Sequence, residues 1–276
     1  MLYRPLYLTA ALVVLCILFS RKESSSAQNS SDHHEMATLA PLKFLQVAAR
    51  AKHSATVIFV HGLGDTGHGW KPVADMFSAD PGLQHVKWVL PHAPTRRITA
   101  NMGMEMPGWF DIQSFDFSHD DEKGMLETVH QLNQLITAEV DAGIPADRIV
   151  LGGFSQGAAM SLLTGLSTER KLGGVVVLSG WLPLKNKFKS MVSDHVKKLS
   201  IFWGHGKDDP LVRYIWGEQS VAFLKNDLGI KTPDSSESKP IGVDFRGYDG
   251  VPHSAGEDEL EDLQAWLKKV IPKEEA

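Results

Sequence analysis

From Thr56 onward the hydrophobic pattern alternates between two kinds of segment. Short unbroken apolar runs bounded by glycine or proline read as strands buried on both faces. They are Thr56–Val60, Val86–Leu90, Ile149–Phe154, Gly174–Ser179, Ser200–Trp203 and Val243–Tyr248. Between them lie segments with apolar residues three or four apart, the period of a helix packed by one face. Trp70–Ser78 predicts a helix with Pro72 in its first turn, and Leu126, Val129, Leu132, Ile136 and Val140 predict a second that stops at Gly143. Its leading Asp120-Asp121-Glu122 complements the helix dipole. A third helix follows Ser155, a fourth spans 211–228 and ends at Gly229, and Leu260, Leu263, Trp266, Leu267 and Val270 mark the last. Strands alternating with helices predict one mainly parallel sheet covered by helices on both faces, with a ligand site at the C-terminal strand ends.

Two stretches break the pattern. Residues 1–36 differ from everything after them. Leu6–Phe19 is uncharged and apolar, flanked by Arg4 and by Arg21-Lys22, and 24–34 is polar and serine-rich. The run is shorter than the ~20 residues of a comfortable membrane span. It suits a secretory signal core, with Ser25-Ser26-Ala27 as a cleavage pattern, or a short anchor through residues 5–20, and both readings stay open. A form initiated at Met36 would lack it. Residues 37–276 then form a single catalytic domain. The second stretch, Thr95–Phe117, has neither period, but it carries Met102, Met104, Met106, Trp109 and Phe110. It reads as a long functional loop whose flexible apolar side chains border a binding site.

Composition narrows the function classes. With 28 Lys and Arg against 33 Asp and Glu, and no basic run interleaved with aromatics, nothing points to nucleic acid. The one cysteine, Cys16, lies in the N-terminal segment, so the domain has no internal disulfide and no cysteine metal site. His33-His34 sits in the polar tract and reads as solvated. No spacing of ligands asks for a metal, and no cofactor is expected.

The chemistry lies at the strand ends. Gly153-Phe154-Ser155-Gln156-Gly157 joins a strand to a helix, the sequence form of a nucleophile elbow. The serine is forced into an unfavourable backbone region, and Gly153 and Gly157 are small because a side chain would collide across the bend. The Gln156 N–H, at the helix start, is aimed at a developing oxyanion. After the first of the runs, His61-Gly62-Leu63-Gly64 lacks the spacing of a phosphate cradle. It stands instead where a hydrolase supplies its second oxyanion donor, Leu63 N–H. A serine nucleophile needs a base and a carboxylate. Behind Ser155 these occur at two strand ends, Asp208 and Asp209 in one and His253 in the other, in the order Ser, Asp, His. Spacing alone does not separate the two aspartates. His61 and His205, each in a strand-glycine turn, read as structural.

These motifs, with Ser179-Gly180-Trp181-Leu182-Pro183, His205-Gly206-Lys207-Asp208-Asp209-Pro210-Leu211-Val212 and Tyr248-Asp249-Gly250-Val251-Pro252-His253-Ser254, resemble the acyl-protein thioesterase and lysophospholipase-like carboxylesterase family. The resemblance spans about 42–270. It implies an α/β-hydrolase fold and a Ser155, Asp209, His253 triad, the acid being the aspartate before Pro-Leu-Val. It further implies an oxyanion hole at Leu63 and Gln156, Trp181 on the acyl pocket, and a lid or acyl channel around Met102, Met104, Met106 and Trp109. Implied substrates are S-palmitoylated proteins, lysophospholipids and small esters. A short-chain carboxylesterase or protein deacetylase, and a non-catalytic hydrolase-fold receptor, are the alternatives. The family is generally cytoplasmic and lacks residues 1–36, and the 234–239 insertion is unusual for it.

Overall fold

The computed structural model describes residues 39–274 apart from 117, 118 and 235. The expectations placed on residues 1–36 lie outside these residues. Among the described residues no helix is long and apolar enough to cross a membrane.

Seven strands form the main sheet: β1 (Phe44–Val47), β2 (Ala55–Val60), β3 (Val86–Pro91), β6 (Ile149–Phe154), β7 (Gly174–Leu178), β8 (Ser200–Gly206) and β9 (Gly242–Tyr248). Their order is β1-β3-β2-β6-β7-β8-β9, and only β1 runs antiparallel to its neighbour. A separate hairpin pairs β4 (Thr95–Ile98) with β5 (Met104–Pro107).

The helices are α1 (Gly67–Ala79), α2 (Glu122–Asp141), α3 (Gln156–Ser167), α4 (Lys185–Met191), α5 (Tyr214–Asn226) and α6 (Glu257–Val270). Because successive strand side chains point to opposite faces, each central strand feeds two cores. Val57 and Phe59 join Trp70, Phe77, Leu263 and Trp266 beneath α1 and α6. Ile58 and Val60 join Leu132, Ile136, Met160, Leu163 and Val221 beneath α2, α3 and α5. This is the mainly parallel, doubly covered sheet that the alternating pattern predicts, and it agrees with the α/β-hydrolase architecture that the resemblance implies.

Several elements differ from the sequence expectation. β1 is an edge strand with no fully buried position, so it leaves no apolar run to read. The stretch 95–117 contains the β4–β5 hairpin. Of the eight hairpin residues only Ile98 is buried, and Gly64 N–H to Pro107 O (2.8 Å) and Gly108 N–H to Pro94 O (3.1 Å) tie it to the body. Helix α1 starts at Gly67, with Thr66 as its cap, which moves Pro72 beyond the first turn. In α2 the buried face is rotated relative to the apolar stripe. Met125, Thr128, Gln131, Leu132, Leu135, Ile136 and Glu139 are buried, whereas Leu126 is exposed. The polar members of that face have tertiary partners: Thr128 donates to Trp109 O, Gln131 to Ala40 O, and Glu139 accepts from Thr56 Oγ1 and Lys87 Nζ.

From β2 the chain first crosses to β3 on one side, and later enters β6 on the other. The C-terminal ends of β2 and β6 therefore flank a topological switch point, where a doubly wound sheet opens a crevice. Residues 61–64 and Ser155 stand there.

Candidate active site

Ser155 links β6 to α3 with φ 54° and ψ −119°, a region costing about 1–3 kcal/mol for a residue with a side chain. The surroundings hold it there. Its N–H donates to Leu178 O at 2.9 Å, and the two flanking glycines permit a contact that no other residue would. A Cβ on Gly157 would stand 2.2 Å from Val60 O and 2.4 Å from His61 O. A Cβ on Gly153 would stand 2.5 Å from the Gly157 carbonyl carbon and 2.6 Å from Val60 O. The glycines thus serve less to relax the bend than to seat the start of α3 against the end of β2.

Three strand ends converge on the serine. His253 Nε2 lies 2.9 Å from Ser155 Oγ, and its Nδ1 lies 2.7 Å from Asp209 Oδ2. An ionised carboxylate only accepts, so Nδ1 carries the proton and Nε2 is free to accept the serine's hydrogen. Asp209 is buried, and its other oxygen, Oδ1, accepts the N–H groups of Leu211 and Val212, each at 2.9 Å. Asp208 points away: it is exposed, and its N–H donates to Val251 O at 3.2 Å. The ring of Phe154 lies against His253 with centroids 4.7 Å apart.

The two histidines in strand-glycine turns make backbone bonds. His61 is fully buried, with Nδ1 donating to Gly62 O (2.7 Å) and Nε2 accepting from Ala93 N–H (3.1 Å). His205 Nε2 donates to Val212 O at 2.7 Å and stands 3.7 Å from Asp209 Oδ2. Burial pushes both imidazoles below the usual histidine range, which favours their neutral form.

A narrow cleft opens over Ser155 and His253, walled by Gly62, Leu63, Ile112, Phe115, Phe154, Trp181, Leu211 and Val212. Gln156 N–H belongs to the first residue of α3, where an amide has no intrahelical acceptor. The Gly62–Leu63 backbone passes close by, since a Cβ on Gly62 would come within 3.4 Å of Ser155 Cβ. Of the two candidate oxyanion donors, Leu63 lines the cleft and Gln156 directly follows the nucleophile in the chain.

A model of the phospholipase/carboxylesterase family matches residues 44–271. The chain belongs to that family. Among relatives of this phospholipase/carboxylesterase chain, acyl-protein thioesterase 1 of Cryptococcus neoformans var. neoformans serotype D is 51% identical over 236 residues. That match covers 83% of this chain and 98% of the relative. Acyl-protein thioesterase 1 of Mycosarcoma maydis is 45% identical, over 84% of this chain and 98% of its own. Among solved structures, SOBER1 of Arabidopsis thaliana superposes with a TM-score of 0.71 at 31% identity, covering 79% of this chain and 99% of that one. Acyl-protein thioesterase 2 of Zea mays gives 0.71 at 27%, covering 83% and 99%.

Within this phospholipase/carboxylesterase framework, the stretch expected to wall the acyl pocket needs correction. Trp109 is fully buried behind the cleft, its Nε1–H donating to His61 O at 2.7 Å. Met102 and Met104 are exposed on the β4–β5 hairpin, and Met106 packs partly buried against the core. None of the four lines this cleft. Met102 lies in the hairpin's turn and Met104 at the start of its return strand, and both are left exposed. The apolar wall comes from residues just beyond, Ile112 and Phe115, and from Leu211-Val212 directly after the acid. Trp181 does line the cleft, edge-on to Phe110 at 6.2 Å. The Gln156 side chain also has a task that its sequence position does not reveal. Fully buried, it accepts from Trp109 N–H (2.9 Å) and donates to Phe110 O (2.8 Å), pinning the segment that leads to Ile112.

Proposed function

We propose that this chain is an acyl-protein thioesterase, a serine hydrolase that removes long-chain acyl groups from S-acylated proteins. The observation that carries the reading is the continuous hydrogen-bonded line from Ser155 through His253 to Asp209 on the floor of an apolar cleft. The kinship with acyl-protein thioesterases over more than four-fifths of the chain supports it.

Ser155 Oγ attacks the thioester carbonyl while His253 Nε2 takes its proton, and Asp209 stabilises the resulting imidazolium. The carbonyl oxygen becomes an oxyanion facing Gln156 N–H and Leu63 N–H. Collapse breaks the C–S bond, and the cysteine thiol leaves with the proton from His253. A water then attacks the acyl-serine, giving its proton to the same imidazole, which passes it to Ser155 Oγ as the ester bond breaks and the fatty acid departs. The acyl tail lies along Ile112, Phe115, Trp181, Leu211 and Val212, losing contact with water.

A fluorophosphonate probe tests the nucleophile. The native protein becomes labelled and Ser155→Ala does not, and labelling that survives the substitution overturns the assignment. Rates on acetyl, octanoyl and palmitoyl thioesters test the substrate class. The reading requires kcat/KM to rise with chain length, and a maximum at acetyl would instead identify a short-chain esterase.

A further inference from the structure

His253 sits in a loop, and what holds that loop is visible on its far side. Residues 249–256 join β9 to α6. On the entering side Asp208 N–H donates to Val251 O at 3.2 Å. A Cβ on Gly206 would stand only 2.2 Å from that same carbonyl, so the loop rests on the end of β8. On the leaving side the anchor is Glu259, in the first turn of α6. A glutamate there usually faces water, yet Glu259 is fully buried. Its Oε2 accepts the N–H of Gly256, the helix cap, at 3.2 Å. Among the described residues its Oε1 has no hydrogen-bond partner, and it is pressed against β8, for a Cβ on Gly204 would come within 2.2 Å of it.

A carboxylate oxygen so placed would carry an uncompensated desolvation cost, whereas a neutral carboxyl loses far less. The acidic neighbours act in the same direction, since each disfavours a further negative charge. Asp209 faces Glu259 from the loop after β8, and Asp262 from α6 itself. From β9 come Arg246, committed to Asp244 and Asp262, and Tyr248, whose hydroxyl donates to Asp262. Glu257 and Asp258 share the same helix start. Burial, reinforced by Asp209 and Asp262, pushes the Glu259 carboxyl up to about 8.

We propose that Glu259 is a positioning residue for His253, docking the start of α6 on Gly204 in its neutral form and so fixing the loop that aims the imidazole at Ser155. When Glu259 ionises, the carboxylate is driven toward water, the start of α6 lifts from β8, and His253 loses its alignment. This rests on the triad reading above, and two measurements keep the two separable.

The first is the pH profile of octanoyl-thioester hydrolysis, corrected for spontaneous cleavage. The native protein should lose at least fivefold in kcat between pH 7.5 and 9.5, with KM changed less than twofold and activity regained on return to pH 7.5. Glu259→Gln, neutral at every pH and still able to accept from Gly256 N–H, should remove that fall, its kcat ratio between the two pH values staying near one. A native profile flat to pH 9.5, or a Gln variant that falls in parallel, overturns the proposal.

The second measurement needs no catalysis. In a Ser155→Ala background, thermal stability is compared with and without Glu259→Gln from pH 5 to 9. The folded-state pKa lies above the ordinary 4.5, so between 4.5 and about 8 the folded chain keeps a proton that the unfolded chain has released. Stability therefore falls as pH rises through that window, and levels off above it. The Gln variant should lack that slope, and superimposable curves overturn the buried neutral acid. Hydrolysis persisting in Ser155→Ala would sink the triad reading while leaving the stability result standing.

Discussion

Asp209→Asn isolates one proton. In the native protein Oδ1 accepts two backbone N–H groups, from Leu211 and Val212, while Oδ2 accepts from His253 Nδ1. An asparagine must put its oxygen on one side and its NH₂ on the other. Turning the NH₂ toward Leu211 and Val212 would set donors against two buried donors, each left unsatisfied at about 1–3 kcal/mol. The amide therefore keeps its oxygen there and presents N–H to His253. Nδ1 must then accept, which moves the imidazole proton to Nε2, the nitrogen that has to receive the proton of Ser155. The side chain keeps its size and the geometry survives, but the base is in the wrong tautomer and the imidazolium loses its counter-charge. The expected loss in kcat is about 10⁴-fold, roughly 5.5 kcal/mol of transition-state stabilisation. Single-turnover hydrolysis of a chromogenic octanoyl thioester at pH 7.5 measures it, with thermal melting to confirm the fold. Asp208→Asn, on an exposed side chain, should stay within about twofold of native. A loss below tenfold for Asp209→Asn, or a larger loss at Asp208, would refute the tautomer argument.

Two further outcomes follow from the packing. Gly157→Ala places a methyl 2.2 Å from Val60 O and 2.4 Å from His61 O, backbone atoms that cannot swing aside. Overpacking of this kind costs on the order of 3 kcal/mol, or about 10 °C in Tm for a domain of this size, and a melt within 2 °C of native would show that α3 is not wedged against β2. Ile112→Trp fills part of the apolar wall remote from the nucleophile's hydrogen bonds. It should lower kcat/KM for a palmitoyl thioester at least tenfold while changing acetyl turnover less than threefold, and equal losses on both would place the acyl tail elsewhere.

What could be read from the chain and what could not divide along a physical line. The strand ends were legible because each needs a local backbone device: glycines where backbones meet, a serine in a strained turn, a histidine bonded to its own loop. Such devices occupy consecutive residues, so a string of letters records them. The choice between Asp208 and Asp209 was different. Both residues satisfy the spacing; the family resemblance names Asp209, and the fold supplies the physical reason, turning Asp209 inward onto the Leu211 and Val212 amides and leaving Asp208 in water.

The acyl wall shows the same limit more strongly, because apolar character does not report direction. Met102 and Met104 look like pocket residues by composition, yet the turn and return strand of the β4–β5 hairpin leave them in solvent, while Trp109 is buried in the core and bonded to His61 O. The rotated face of α2 has the same cause, since Thr128 and Glu139 are buried for the partners they meet and not for their hydropathy. Glu259 carries this furthest. In the sequence it is one acid among several at a helix start, in keeping with the dipole. Only the absence of a side chain at Gly204, far away in the chain, makes the space that buries it. A glycine's meaning is thus partly held by whichever residue fills its vacancy. For Glu259 that pairing links the neutral form of one carboxyl to the aim of the catalytic imidazole.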